Sequence, residues 1–333
     1  MYGSPCEGQM TAEVQAQPAH TVITLDIGGT KIASGLAMQH ADGTWTITRQ
    51  SSVPTPALEG GPATLAALVA EAGARYAEAR ADGAQVVGVG VSAAGVIDTS
   101  RGVVTSATDT LPGWAGTDIR GALQDALGVP AYILNDVQAH ALGEVTLGAG
   151  APFSCALMVA VGTGIGGAVV MNHRVLPGPR GLAGNFGHMH HELANGFMCS
   201  CGRTGHLEAV ASGYGIAALY GVRAGGVRVP GAAEVAQLAA MGNAVARTTL
   251  ADAGAALGEI LGGLTNAFDP EAVLVSGSVA KAGPVWWDGV RSGFARELMD
   301  PARETPLLTA ALGDDAPLLG AAVGLSSYLN ERN

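Results

Sequence analysis

Residues 21–26 are apolar or β-branched up to Asp26, the pattern of a strand covered on both faces, and the run stops at Gly28-Gly29-Thr30. Residues 33–38 and 44–50 read as two further short strands that continue it as a meander. Apolar positions at helical spacing predict a helix over 65–80, followed by a strand at 86–91, a short helix at 122–127 and a strand at 131–134. That strand gives way at Asn135-Asp136 to a helix over 137–147 with an acid at its start. The pattern then begins again: strand at 155–161, glycine loop at 162–167, returning strand at 168–171. Farther on, Leu257, Ile260, Leu261, Leu264 and Phe268 share one helix face ahead of a strand at 272–275, and 318–328 reads as a closing helix. A strand, glycine turn, strand unit that occurs twice predicts two related α/β domains facing one cleft. The smaller is expected over 21–137, completed by a C-terminal helix at 318–333, and the larger over 138–317, while 1–20 carries no apolar period and reads as a flexible tail.

Composition narrows the function classes. Of 333 residues 48% are apolar and 14% charged, which excludes a disordered chain. Seventeen basic against 28 acidic residues give a net charge of −11, and Lys31 and Lys281 are the only lysines. No basic stripe follows a phosphate backbone, so neither nucleic acid nor an anionic membrane is an expected partner. Backbone N–H groups still hold small phosphates without a basic surface. No apolar run of membrane-spanning length occurs, and Cys6, Cys155, Cys199 and Cys201 appear without a secretory leader, so the expected location is cytoplasmic. Glycine, at 50 residues, is about twice its ordinary share and lacks the collagen period, which predicts tight turns and close backbone approaches.

Four local patterns carry candidate chemistry. In Asp26-Ile27-Gly28-Gly29-Thr30-Lys31 the glycines let N–H groups face phosphate oxygens and Asp26 can orient hydrated Mg²⁺; the alternative is a hairpin with an exposed lysine. Gly162-Thr163-Gly164-Ile165-Gly166-Gly167 satisfies G-x-G-x-x-G, but apolar strand rather than helix follows, so a dinucleotide fingerprint is excluded and a second phosphate turn or a plain hairpin remains. Asp136, after Asn135 at a strand end, is placed to take a proton from a hydroxyl or simply to start its helix, and Glu144 reads as a solvated helix residue. His188, Cys199, Cys201 and His206 offer two imidazoles and two thiolates for a closed tetrahedral Zn²⁺ site, with His190 and His191 as alternative ligands.

Taken in order over about residues 21–329, Asp26 to Lys31, Asn135-Asp136, 162–167, Gly181-x-x-Gly184-x-x-Gly187-His188, Cys199-x-Cys201-Gly202 and Gly277-Ser278 resemble the ROK family of sugar kinases and repressors. The resemblance implies an actin-like, ribonuclease-H-like pair of α/β domains with ATP and a sugar in the cleft between them. By it, Asp136 is the base for the sugar's 6-hydroxyl, and Asn135, His188 and Glu208 bind sugar hydroxyls. Gly162, Thr163, Gly164 and Gly277 line the nucleotide site, opposite Asp26, Gly28, Gly29, Thr30 and Lys31, and Mg²⁺ accompanies the ATP. A structural Zn²⁺ then fixes the sugar-binding loop, and a homodimer or homotetramer is the expected assembly. Two positions depart from the family pattern. Asn185 stands where most members carry a glutamate, which the bacterial N-acetylmannosamine kinases that this stretch resembles also lack, so an N-acylhexosamine is expected ahead of glucose. His206 replaces the usual third zinc cysteine, and histidine remains a competent ligand. The glycine loop at residue 28 leaves no room before it for a helix-turn-helix, which favours a kinase over a repressor, with a non-catalytic sugar sensor as the other reading.

Overall fold

The computed structural model describes residues 20–108 and 110–332, so the expected tail lies, but for His20, outside the described residues. The chain runs β1 (Thr21–Ile27), β2 (Lys31–Gln39), β3 (Trp45–Pro54), α1 (Gly61–Ala81), β4 (Val86–Ala93), β5 (Val96–Asp98), β6 (Val103–Ser106), α2 (Ile119–Leu127), β7 (Ala131–Asn135) and α3 (Asp136–Leu147). It continues with β8 (Ala156–Val161), β9 (Ile165–Met171), β10 (Arg174–Val175), α4 (Glu208–Ala211), α5 (Gly213–Arg223), α6 (Ala232–Ala240), α7 (Ala244–Phe268), β11 (Ala272–Ser276), α8 (Pro284–Glu297), β12 (Leu307–Thr309) and α9 (Ala316–Asn330).

Two five-stranded sheets form, in the orders β3-β2-β1-β4-β7 and β10-β9-β8-β11-β12. In each, an antiparallel hairpin (β1 with β2, β8 with β9) is extended by parallel strands (β4 and β7, β11 and β12). The duplication expected from the repeated glycine turn is therefore a duplication of sheet topology, and the fold is the two-domain α/β architecture of the actin and ribonuclease-H-like type. Strand β1 shows why its sequence lacks alternation. Ile23, Leu25 and Ile27 pack in the core that holds Leu68 and Ala72 of α1, while Val22 packs with Ala322 and Leu325 of α9 on the other face.

Glycines set how closely the elements approach. Helices α3 and α9 cross where a Cβ on Gly143 would collide with the Ala316 carbonyl, and one on Gly320 with the Ala139 carbonyl. Gly320→Ala is expected to cost roughly 2–3 kcal/mol in urea denaturation, because neither backbone can yield without moving its sheet. Gly263, with open space beside it on α7, is the control: Ala there is expected to be neutral or stabilising by about 1 kcal/mol.

Several expectations are corrected. The closing helix ends at Asn330 rather than running to 333, with Glu331 as its cap. The β5–β6 hairpin and helices α4, α5, α6 and α8 carry no clear period in the sequence: β5 is three residues long and α6 is mostly alanine, so neither offers polar–apolar contrast. Glu144 is not solvated. It is fully buried at the last turn of α3, accepting hydrogen bonds from the N–H groups of Ala149 (3.1 Å), Ala311 (3.0 Å) and Leu312 (2.6 Å). A helix C-terminus repels a carboxylate, but three backbone donors replace its lost hydration.

Candidate active site

A cavity of about 780 Å³ opens between the two sheets, and Asp136 sits in its wall at the first turn of α3. Asn135 caps that helix: its Oδ1 accepts from the N–H of Val137 (3.0 Å) and Gln138 (3.3 Å), and its Nδ2 donates to Gly95 O (2.8 Å) and Asp136 Oδ1 (2.7 Å). These four bonds use the full capacity of the amide. In this conformation Asn135, on the cavity wall, is hydrogen-bonded within the protein and holds Asp136 Oδ1. Val137 N also donates to Asp136 Oδ1 (2.9 Å), which leaves Oδ2 without a protein partner among the described residues. Burial, and then the charge of Asp26, pushes the Asp136 carboxyl up to about 6. Asp26 is itself raised by burial, opposed by a hydrogen bond from Ser92 Oγ (2.5 Å) and by the Lys31 charge. Asp26 thus raises Asp136 and is itself raised by Asp314, and carboxylates crowded in this way are the electrostatic setting for a divalent cation, so Asp26 fits an Mg²⁺ site.

Across the cavity lie the β8–β9 turn and the loop that follows β10. Glu208 joins the two: its Oε2 accepts from Ile165 N (2.8 Å) and its Oε1 from Ser200 Oγ (2.5 Å). Gly164 is needed because a side chain there would meet Glu208 Oε2, and Gly166 because it would meet Val137. These two glycines thus serve close packing, whereas Gly162 has open space beside it. Asn185 and His188 line the same cavity, Asn185 with one amide hydrogen given to Leu182 O (2.9 Å).

His188, Cys199, Cys201 and His206 present ligand atoms that all lie within 4.8 Å of one another, with Cys199 Sγ 3.4 Å from His188 Nδ1 and Cys201 Sγ 3.2 Å from His206 Nδ1. A tetrahedral zinc site has nitrogen–sulfur edges of roughly 3.5 Å, so the donor set fits Zn²⁺ in both type and spacing. His191 is committed elsewhere, to Glu259 Oε2 (2.9 Å) and Leu193 N (3.1 Å), and His190 to Asn195 Oδ1 (3.1 Å). Neither alternative ligand joins the cluster.

The remaining candidate residues are dispersed. Gly162 and Thr163 also border a second cavity of about 670 Å³, walled by Tyr214, Ala233, Ala236, Gln237, Ser278 and Lys281. Gly277 lines neither cavity; its φ of 95° turns the chain against Val161 so that Ser278 reaches the wall. Asp26 and Lys31 face a third cavity of about 440 Å³, where Lys31 Nζ pairs with Asp314 Oδ2 at 3.3 Å. Gly29 borders a separate surface hollow, and Gly28 is closed into its hairpin by Lys31 O and Thr55. Gly28, Gly29 and Thr30 are thus not brought to the main cavity.

Residues 22–326 match the ROK family. An N-acetylmannosamine kinase of Yersinia pseudotuberculosis is 32% identical over 90% of this chain and 97% of its own length. The chain belongs to the ROK family. A ROK hexokinase from Thermus thermophilus superposes with a TM-score of 0.81 at 34% identity, covering 94% of this chain and 99% of that one. A ROK glucokinase from Streptomyces griseus, solved with glucose and AMPPNP, superposes at 0.72 with 28% identity, covering 91% and 98%. This ROK protein is an ATP-dependent sugar kinase. No helix of its described residues is long and apolar enough to cross a membrane.

Three features of the site escaped the sequence. Ser106 and Thr108 reach the main cavity from the irregular end of β6, and Ser200 is held by Glu208. Tyr214 and Gln237 enter the second cavity from helices that lack a readable period. Lys281 alone carried a signal, as one of two lysines in an acidic chain.

Proposed function

We propose that this ROK sugar kinase transfers the γ-phosphoryl of ATP to the 6-hydroxyl of an N-acylhexosamine, N-acetylmannosamine first, with Asp136 as general base. The observation that carries the substrate choice is the neutral amide of Asn185 on the cavity wall, between Gly184 and His188. An N-acyl group presents both a donor and an acceptor, which an amide can answer and a carboxylate cannot. The long match to the Yersinia N-acetylmannosamine kinase supports the same choice.

In this reading the sugar occupies the 780 Å³ cavity and the nucleoside the 670 Å³ cavity, which meet at Gly162 and Thr163. The sugar oxygen bonds to the γ-phosphorus, the bond from phosphorus to the β,γ-bridging oxygen breaks, and the hydroxyl proton passes to Asp136 Oδ2 as ADP leaves. Asp26 would hold the Mg²⁺ that accompanies ATP, and that ion would supply charge neutralisation for the phosphates. Of the 28–31 turn, Lys31 takes the phosphate side and leaves Asp314 to do so. His188 and Glu208 hold sugar hydroxyls, and Zn²⁺ on His188, Cys199, Cys201 and His206 stiffens the loop that carries His188. The protein acts as a homo-oligomer in the cytoplasm.

The test is ATP-dependent ADP release over N-acetylmannosamine, N-acetylglucosamine, glucose, mannose, fructose and allose. The expected result is a kcat/KM for N-acetylmannosamine at least about tenfold above that for glucose. A glucose preference overturns the substrate choice, in line with the glucokinase likeness, and silence across the panel with sugar still bound points to a sensor.

A further inference from the structure

Asp136, His140 and Glu144 stand at positions i, i+4 and i+8 of α3, one face of the helix, and all three are engaged in polar contacts. Asp136 faces the main cavity, and Glu144 fixes the opposite end of the helix to the backbone of 311–312. Between them His140 Nε2 lies 3.2 Å from Ser276 Oγ, the last residue of β11. Among the described residues this is the only side-chain hydrogen bond between α3 and the second sheet. Ser276 is buried and adjoins Gly277, whose backbone turn leads into the wall of the 670 Å³ cavity. On its other side the His140 ring borders the 440 Å³ cavity shared with Asp26, Lys31 and Asp314.

We propose that His140 is a positioning residue for phosphoryl transfer: through Ser276 it locks the helix that carries Asp136 to the strand that delivers the nucleotide loop. The inference rests on the reading of Asp136 as base and of Gly277-Ser278 as nucleotide wall. Burial favours the neutral imidazole. With Ser276 as donor to Nε2, Nδ1 carries the ring hydrogen beside the 440 Å³ cavity, and with Ser276 as acceptor the two roles exchange. Either way one helical turn separates the latch from the base, about 6 Å along the axis, so a slip of α3 at His140 is felt at Asp136.

The experiment compares His140→Ala, His140→Gln, Ser276→Ala and the His140→Ala/Ser276→Ala pair, with kcat and both KM values and a melting curve for each. His140→Ala is expected to lower kcat about tenfold and to raise KM for MgATP severalfold, with KM for sugar changed less than about twofold. His140→Gln, which keeps a side-chain hydrogen bond to Ser276, is expected to recover most of the loss. The double variant is expected to be no worse than the single ones, because both remove one bond. Folded variants that turn over like the parent overturn the inference. So does a loss that raises both KM values together with a lowered melting temperature and no rescue by Gln, since that is general destabilisation. If His140→Ala fails to fold, His140→Gln and Ser276→Ala carry the same comparison. Asp136→Asn in parallel separates the two levels: its retention of turnover would sink the underlying site reading whatever His140 does.

Discussion

Asp136→Asn lowers kcat by about three orders of magnitude while the dissociation constant for sugar stays within a few-fold, as measured by initial rates and by calorimetry. The asparagine Oδ1 can still accept from Asn135 Nδ2 and Val137 N, so the helix start is preserved and only the proton acceptor at Oδ2 is lost. The parent enzyme's kcat/KM is expected to fall as pH drops through about 6, because the base works only when ionised and burial with the nearby Asp26 holds its carboxyl there. The sign for stability is opposite. A carboxyl whose folded pKa is raised above its unfolded value favours the folded state when protonated, and that contribution is lost as pH rises from about 4 through about 6. Asparagine mimics the protonated form, so the variant is expected to melt at or above the parent's temperature at pH 7.5. A variant that loses sugar binding and turnover equally, with its fold intact, would remove Asp136 from the chemistry.

Cys199→Ser is expected to strip the bound metal and to raise KM for sugar by about ten- to a hundredfold, with KM for MgATP nearly unchanged. Atomic emission on the purified parent should give one zinc per chain and on the variant little, a readout independent of activity. Burial pushes the Cys199 thiol up, so without a cation it stays protonated; a bound Zn²⁺ reverses this and draws His188 and His206 onto the same centre. The asymmetry between the two KM values follows from position. His188 and Glu208 line the 780 Å³ cavity beside the cluster, whereas the 670 Å³ cavity is walled by α5, α6 and the segment after β11. Equal weakening of both substrates would argue that the metal holds the whole domain and not the sugar loop.

Much of this site was legible as local pattern. The acid after a strand end, the tight Cys-x-Cys with flanking histidines and the doubled glycine turn are statements about short stretches of chain, and the structure brings Asp136, His188 and Glu208 to one cavity and the two histidines and two cysteines to one cluster. Glu144 was misread for the same reason that these were readable. A charged residue on a helix is solvated unless distant backbone donors reach it, and Ala311 and Leu312 lie 167 and 168 positions away. Asn135 shows the converse: a side chain with no partner legible in the sequence is engaged in this conformation by its own helix cap and by Gly95.

The sequence by itself determined the two α/β units, the order of the principal strands and the kind of chemistry available, because hydrophobic period and turn chemistry act over a few residues. Tertiary structure alone decided which polar groups are spent and which remain free. It set the crossing of α3 and α9 at Gly143 and Gly320, the raised carboxyl of Asp136 beside Asp26, and the bond from His140 to Ser276, 136 positions apart. Desolvation and hydrogen-bond saturation depend on every atom that surrounds a group, and most of those atoms arrive from elsewhere in the chain.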